Sequence, residues 1–263
     1  MYKRKSSAEL KGLAKEQLLG NYGVIVGSFA IMFAILYAVF MVVYVVMCVG
    51  MFSTFMISSE TAMTTSLIVS MIIYFLIFLI ISAIFYVLEI SLFYMALQLS
   101  RHEPISMKDM LYCFKHHPDR VIIIYFLQFL LGLAVMIPAT VFEFLYMFGS
   151  DSPMENTYFL IYCVLYVIGI VASTIISLIY GLSYFFYVDN PNQSAIECMR
   201  QSRIAMQGNK GRLFYIQISF IGWWLLSIIT CGIAFLWLVP YLLTVTANFY
   251  QDVLAERIQK TPS

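Results

Sequence analysis

Long stretches without charged side chains alternate with short charged segments along the whole chain. Uncharged or nearly uncharged runs occupy residues 22–50, 67–99, 121–148 and 158–188, and a fifth run covers 213–250. A hydrocarbon core of ~30 Å requires about 20 apolar residues in a helix, so each of the first four runs is long enough to cross a bilayer. The pattern predicts four transmembrane helices in this part of the chain.

The fifth run, 213–250, is interpreted in two ways. Residues 213–230 and 232–250 would each form a helix about 27 to 28 Å long, which just suffices for two short spans. In that arrangement Trp223 and Trp224 lie near mid-depth, although tryptophan prefers the membrane interface. A re-entrant hairpin is therefore the alternative.

The basic residues have a one-sided distribution that fixes the expected topology. All 15 Lys and Arg lie before the first run, between the second and third, between the fourth and fifth, or in the C-terminal tail. The connections 51–66 and 149–157 contain none. Because cytoplasmic loops collect cations, both termini are expected in the cytoplasm. The prediction is an all-α, polytopic integral membrane protein with six transmembrane helices.

The composition supports a membrane protein and excludes several other classes. Hydrophobic residues make up 62% of the chain and charged residues 11%, and the mean hydropathy is +0.88; a soluble globule of this composition would expose large apolar patches. A net charge of +1 provides no general attraction to nucleic acid. The five cysteines include no C-x-x-C pair, so no metal site is predicted.

Each cytoplasmic segment contains the same S-x-x-acid pattern, which predicts a helix start. The three copies are SSAE from Ser6, SMKD from Ser106 and SAIE from Ser194. In this pattern the serine caps the helix, and the acid closes a capping box or complements the helix dipole. The first and third helices are expected to end at Gly20 and Gly208, since glycine suits a left-handed C-terminal position; the second copy has His-His-Pro at that point.

A transmembrane hairpin follows each of these short helices, which gives three repeats, 6–99, 106–188 and 194–250, within a single membrane domain, 1–263. Amphipathic helices at the inner face either pack against the bundle or contact anionic lipid headgroups. Membrane lipids are the expected partners, and protein partners in the membrane are left unspecified. The candidate headgroup-contacting residues are Lys11, Lys15, Lys108, Lys115, Arg200, Arg203, Lys210 and Arg212.

Both ends of the chain resemble a bacterial family. The similar segments are ELKGLAKEQLLGNY at 9–22, SFIGW at 219–223 and LWLVPY at 236–241. They resemble the integral membrane family catalogued as domain of unknown function 975, which implies six helices in the bacterial plasma membrane and supplies no reaction. Its motif positions here include Gly208, Asn209, Gly222, Trp223, Gly232, Trp237, Pro240 and Tyr241.

Four polar residues inside the apolar runs are candidates for a functional site. Glu89, Gln128, Gln217 and Asn248 all lie in the inner half of their predicted helices, and Glu89 is about 18 Å along the helix from Arg101. Placing an ionisable group inside a membrane costs free energy, so such residues often have a functional role. The cluster is interpreted as an inner polar site, with unrelated hydrogen bonds between helices as the alternative.

Motifs for catalysis are missing, so the protein is not expected to be an enzyme or to hold a cofactor. The sequence contains no G-x-S-x-G, no H-E-x-x-H and no Gly-rich phosphate loop. The favoured hypothesis is a non-enzymatic plasma-membrane protein that binds lipids or organises membrane partners. The alternatives are a small secondary transporter or flippase-like carrier that uses Glu89, and resistance or immunity to membrane-active peptides.

Overall fold

The regular structure is entirely helical in residues 3–55, 60–148 and 154–260, which the computed structural model describes. A 3₁₀ helix, Met107–Leu111, precedes α4. The α-helices are α1 Ser7–Leu18, α2 Tyr22–Phe55, α3 Glu60–Ser100, α4 Tyr112–Lys115, α5 Pro118–Phe148, α6 Glu155–Tyr180, α7 Ser183–Asp189, α8 Ala195–Ala205, α9 Lys210–Ile218, α10 Ile221–Ile229 and α11 Phe235–Lys260.

Five helical stretches in the described chain are long and apolar enough to cross a membrane, against the six predicted. They are Tyr22–Thr54, Thr61–Ser100, Pro118–Phe148, Asn156–Asp189 and Lys210–Ile229. The sixth predicted span, 232–250, lies mostly within α11, a helix that continues to Lys260 and becomes polar towards its end. The fifth stretch is interrupted by a turn at Ser219 and Phe220. The helices are those of a membrane-embedded protein.

The chain forms two compact units. The first unit comprises Met1–Leu10, Asp119–Ile221 and Asn248–Ser263, and the second comprises Lys11–Pro118 and Gly222–Ala247. Each unit therefore combines segments that are distant in the sequence. The predicted division into three repeats stays a prediction.

In the second unit, α2 and α3 are packed at one end and exposed at the other. Phe29, Met32 and Leu88 belong to a buried hydrophobic cluster, whereas most apolar side chains of α2 from Phe33 onwards are exposed, with Phe40 at 62%. The exposed part of α2, beyond Met32, is about 34 Å long, and that of α3, up to Ile84, about 36 Å. Each is long enough for a hydrocarbon core of ~30 Å. We call these two exposed parts the arms of α2 and α3.

The S-x-x-acid segments form the expected caps, with one difference in the second. The Ser6 N–H donates to Glu9 at 2.6 Å and the Glu9 N–H to the Ser6 hydroxyl at 3.2 Å. Ser194 accepts from the Glu197 N–H. Ser106 takes part in a capping box too, but it opens the 3₁₀ helix and one turn of α4 rather than a longer amphipathic α-helix.

A residue with a left-handed backbone conformation lies between the short helix and the helix that follows it at all three places. Gly20 and Gly208 have φ of 85° and 75°, and His117 has φ of 55°. At the first and third junctions the following asparagine donates its side-chain amide four residues back, Asn21 to the Gln17 carbonyl and Asn209 to the Ala205 carbonyl. The two Gly-Asn junctions therefore share one hydrogen-bonding scheme, which the sequence pattern had indicated only in part.

Candidate functional site

A cavity in the second unit lies between the end of α1 and the helical hairpin that α10 and α11 form. Its volume is about 690 Å³, within the usual range for ligand sites. The lining is almost wholly apolar. It consists of Lys15, Leu19, Tyr22, Trp223, Leu226, Thr230, Ile233, Ala234, Trp237, Leu238 and Tyr241. We call it the aromatic cavity.

Four aromatic side chains give this cavity the chemistry of a membrane interface. Trp223 and Trp237 are about half exposed, at 43% and 49%. Tyr22 and Tyr241 also line the cavity. Tryptophan and tyrosine combine an apolar ring with a polar handle, which suits the level of lipid headgroups. Three of these residues, Trp223, Trp237 and Tyr241, were identified from the sequence as motif positions without a role.

Positive charge is concentrated on the α1 side of the cavity. Lys15 is exposed and lines the cavity, and Lys11 lies one turn before it on the same helix face. Burial, and after it the charge of Lys15, lowers the pKa of the Lys11 ammonium. The Tyr241 hydroxyl donates to the Lys11 carbonyl at 3.4 Å, so that α11 holds this part of α1 in place. A negatively charged group near the two lysines would relieve their repulsion.

The first unit has two smaller apolar grooves, each with at least one basic residue in its lining. One, of about 350 Å³, is lined by residues that include Leu127, Arg200 and Arg203. The other, of about 340 Å³, is formed by part of α6 together with Lys210 and Phe214. Four of the eight predicted headgroup-contacting residues, Lys15, Arg200, Arg203 and Lys210, thus line apolar cavities.

The four predicted polar-site residues have different environments. Glu89, in the second unit, is half-buried, and among the described residues no hydrogen bond or ion pair to its carboxylate is found. Gln128, in the first unit, donates to the Tyr180 carbonyl at 3.3 Å and accepts from the Tyr184 hydroxyl at 2.8 Å. Gln217 is exposed, and Asn248 is buried. The hydrogen bonds of Gln128 connect α5 with α6 and α7.

The remaining predicted basic residues divide into exposed and paired side chains. Lys108 and Lys115 are exposed. Arg212 forms an ion pair with Asp252 at 2.5 Å, with side chains 21% and 0% exposed. Arg212 also donates to the Asn209 side chain and the Lys5 carbonyl, both at 3.0 Å. Its guanidinium is therefore largely engaged inside the first unit.

Sequence reasoning missed a group of contacts that holds the two termini together in the first unit. Arg4 pairs with Glu256 at 2.6 Å, and the Lys5 N–H donates to Asp252 at 3.2 Å. Glu256 and Asp252 are only 4% and 2% exposed. The available signal was an acidic pair at spacing i, i+4 in the polar last part of α11.

The described residues contain no group of three or more His, Cys, Asp or Glu side chains arranged to hold a metal ion.

Arg120, which was not predicted as a site residue, donates to the carbonyls of Pro191 and Gln193 and so fixes the loop before α8.

The helices and cavities together define a class: a helical membrane protein with an aromatic cavity bounded by α10, α11 and the end of α1 that carries Lys15. The model of the family described as "Protein of unknown function (DUF975)" matches residues 1–257. The chain belongs to this family, as its two ends suggested. No curated protein and no solved structure matches the chain.

Proposed function

We propose that this protein is a non-enzymatic, multi-pass protein of the bacterial plasma membrane that binds phospholipid at its cytoplasmic side. The observation that carries the proposal is the aromatic cavity, with Lys15 in its lining and Lys11 one turn away. An apolar cavity of this size can hold part of a phospholipid acyl chain. The aromatic rings are suited to the level of the lipid glycerol, and the lysine ammonium groups can pair with the lipid phosphate.

The proposed topology has both termini in the cytoplasm. The one-sided distribution of Lys and Arg supports this arrangement. The ion pair between Arg4 and Glu256 supports it too, because it brings the beginning and the end of the chain together on one side. An even number of crossings follows.

The lipid-binding proposal predicts a defined ligand that survives extraction. Native mass spectrometry of the detergent-extracted protein should show one retained phospholipid, with acidic species enriched over their share of the membrane. Leu226→Trp places a larger side chain in the cavity lining and should reduce retention at least tenfold. Lys15→Gln should leave the lipid but abolish the preference for acidic headgroups.

Matched controls come from neighbouring positions. Leu225 is exposed but does not line the cavity, so Leu225→Trp should retain lipid like the wild type. Lys108→Gln removes an exposed lysine elsewhere in the second unit and should keep the headgroup preference. Equal retention by Leu226→Trp and the wild type would contradict the proposal.

A further inference from the structure

The helices α10 and α11 form a hairpin that is much shorter than the hairpin of α2 and α3. The latter two helices have 34 and 41 residues. Helix α10 has 9 residues and is separated by the turn at Ser219 and Phe220 from the 9 residues of α9, and α11 has 26 residues, of which the last part is polar. The part of the short hairpin from Gly222 to Ala247 belongs to the second unit together with α2 and α3, so that their depths can be compared there.

Packing in the second unit shows where the tip of the short hairpin lies. Phe235 and Leu236, at the start of α11, pack against the cluster that contains Phe29, Met32 and Leu88. This cluster lies at the inner end of α2 and α3, before the arms begin. The tip is therefore level with the base of the arms, and each arm extends more than 30 Å beyond it.

The backbone donors at the tip are satisfied within the hairpin. Every backbone N–H from Thr230 to Phe235 donates to an oxygen within the hairpin; Gly232 donates to the Ser227 carbonyl at 2.7 Å and Ala234 to the Thr230 hydroxyl at 3.2 Å. Self-satisfied backbone is what a lipid environment requires. Ile229, at the tip, is 78% exposed, and such a side chain is stable against hydrocarbon.

We propose that the hairpin of α10 and α11 enters the bilayer from the cytoplasmic side and turns back within the inner leaflet, so that the aromatic cavity takes an acidic phospholipid from that leaflet. The choice of leaflet rests on the proposed lipid binding, but the depth of the hairpin does not. A hairpin that crossed fully would need its tip at the far ends of the arms. The inner-leaflet position also places Trp223 and Trp237 near the interface that tryptophan prefers.

Tryptophan fluorescence of the wild-type protein reports the depth of the hairpin, because all 3 of its tryptophans, Trp223, Trp224 and Trp237, lie in this hairpin. Their fluorescence in vesicles should be quenched strongly by phospholipids brominated near the headgroup and weakly by those brominated near the chain end. Asymmetric vesicles with brominated lipid in one leaflet should show quenching only from the leaflet on the cytoplasmic side. Quenching that is strongest from the chain ends, or equal from both leaflets, would overturn the proposal.

A second measurement uses Cys231, which lies exposed at the tip. With the other cysteines replaced, a spin label at Cys231 should be accessible to oxygen dissolved in lipid rather than to a water-soluble relaxation agent. An impermeant maleimide added outside sealed vesicles should label Thr61→Cys, at the outer end of α3, but not Cys231. Labelling of both at similar rates means a full crossing, and a fully aqueous Cys231 means no insertion; either refutes the shallow hairpin.

The proposed lipid binding and the proposed depth of the hairpin can be refuted independently of each other. If the tip lies in the inner leaflet but no lipid is retained after extraction, only lipid binding is lost. If lipid is retained but the outer leaflet quenches the tryptophans equally, the inner-leaflet source is wrong.

Discussion

The ion pair of Arg212 and Asp252 should be a main determinant of stability in the first unit, and its two partners should be unequally sensitive. Asp252 is 2% exposed, and its carboxylate accepts from Arg212 at 2.5 Å and from the Lys5 N–H at 3.2 Å. Arg212→Met removes the ion-pair partner of this buried carboxylate. Breaking a buried pair in this way costs about 3–5 kcal/mol.

The opposite substitution, Asp252→Asn, should cost less. The Arg212 side chain is 21% exposed, keeps oxygen acceptors at Asn209 and Lys5, and lies 5.3 Å from the centre of the Phe249 ring. Its charge therefore retains water, hydrogen bonds and a cation–π contact, and we expect a loss of about 1–2 kcal/mol. The double variant Arg212→Met/Asp252→Leu should recover much of the loss of Arg212→Met, since no unpaired charge remains.

The buried thiol of Cys198 provides the assay, because it lies in the same unit. In a background with the other cysteines replaced, a thiol-reactive dye reports the thermal opening of this unit in detergent. Arg212→Met should lower the midpoint by roughly 10 °C, whereas Arg203→Met, at an exposed position, should change it little. If Asp252→Asn were the more damaging substitution, or if Arg212→Met matched Arg203→Met, the reasoning from burial would be refuted.

Two further predictions concern a thiol and a backbone conformation. Burial raises the pKa of the Cys198 thiol to about 11, so at pH 8 only about one molecule in a thousand carries the thiolate. In native protein, alkylation of Cys198 should be far slower than that of a cysteine introduced at exposed Lys108 (Lys108→Cys) and should accelerate as the pH approaches 11; equal rates at pH 8 would contradict this. Gly208 has φ of 75°, so Gly208→Ala should destabilise the protein by about 1 kcal/mol. Gly222, in α10 and with open space around it, is the control, because Gly222→Ala should be neutral or stabilising by the same thermal assay.

The long helices were predictable because their signal is local. The runs 22–50 and 121–148 correspond to Tyr22–Phe55 and Pro118–Phe148, since an apolar stretch of this length has few other stable states in a membrane. Boundaries at the inner side were also found, because Gly20 and Gly208 carry their own left-handed signal.

The contacts of the charged residues were not predictable from local pattern. Arg212 was assigned to lipid headgroups with seven other basic residues, but its partner Asp252 is 40 residues away, and Arg4 and Glu256 are 252 apart. Such pairs depend on how the units fold. The cavity was missed for the same reason: Lys15 and Trp237 were each singled out separately, and only the tertiary structure places them around one space.

The relation among the three hairpins suggests why the cavity lies where it does. Left-handed residues at Gly20, His117 and Gly208 each precede the helix that follows a short helix, and the common repeat stays a prediction. If the third hairpin turns back early, its tip does not extend along the arms of α2 and α3, and its aromatic side chains stay at the level where α1 ends. Lys15 then lies beside Trp223 because the third hairpin is short. In this interpretation the first two repeats cross the membrane, and the third repeat is adapted to hold lipid. An apolar insertion that lengthens the turn at Thr230–Ala234 should therefore release the lipid while leaving the first two hairpins folded.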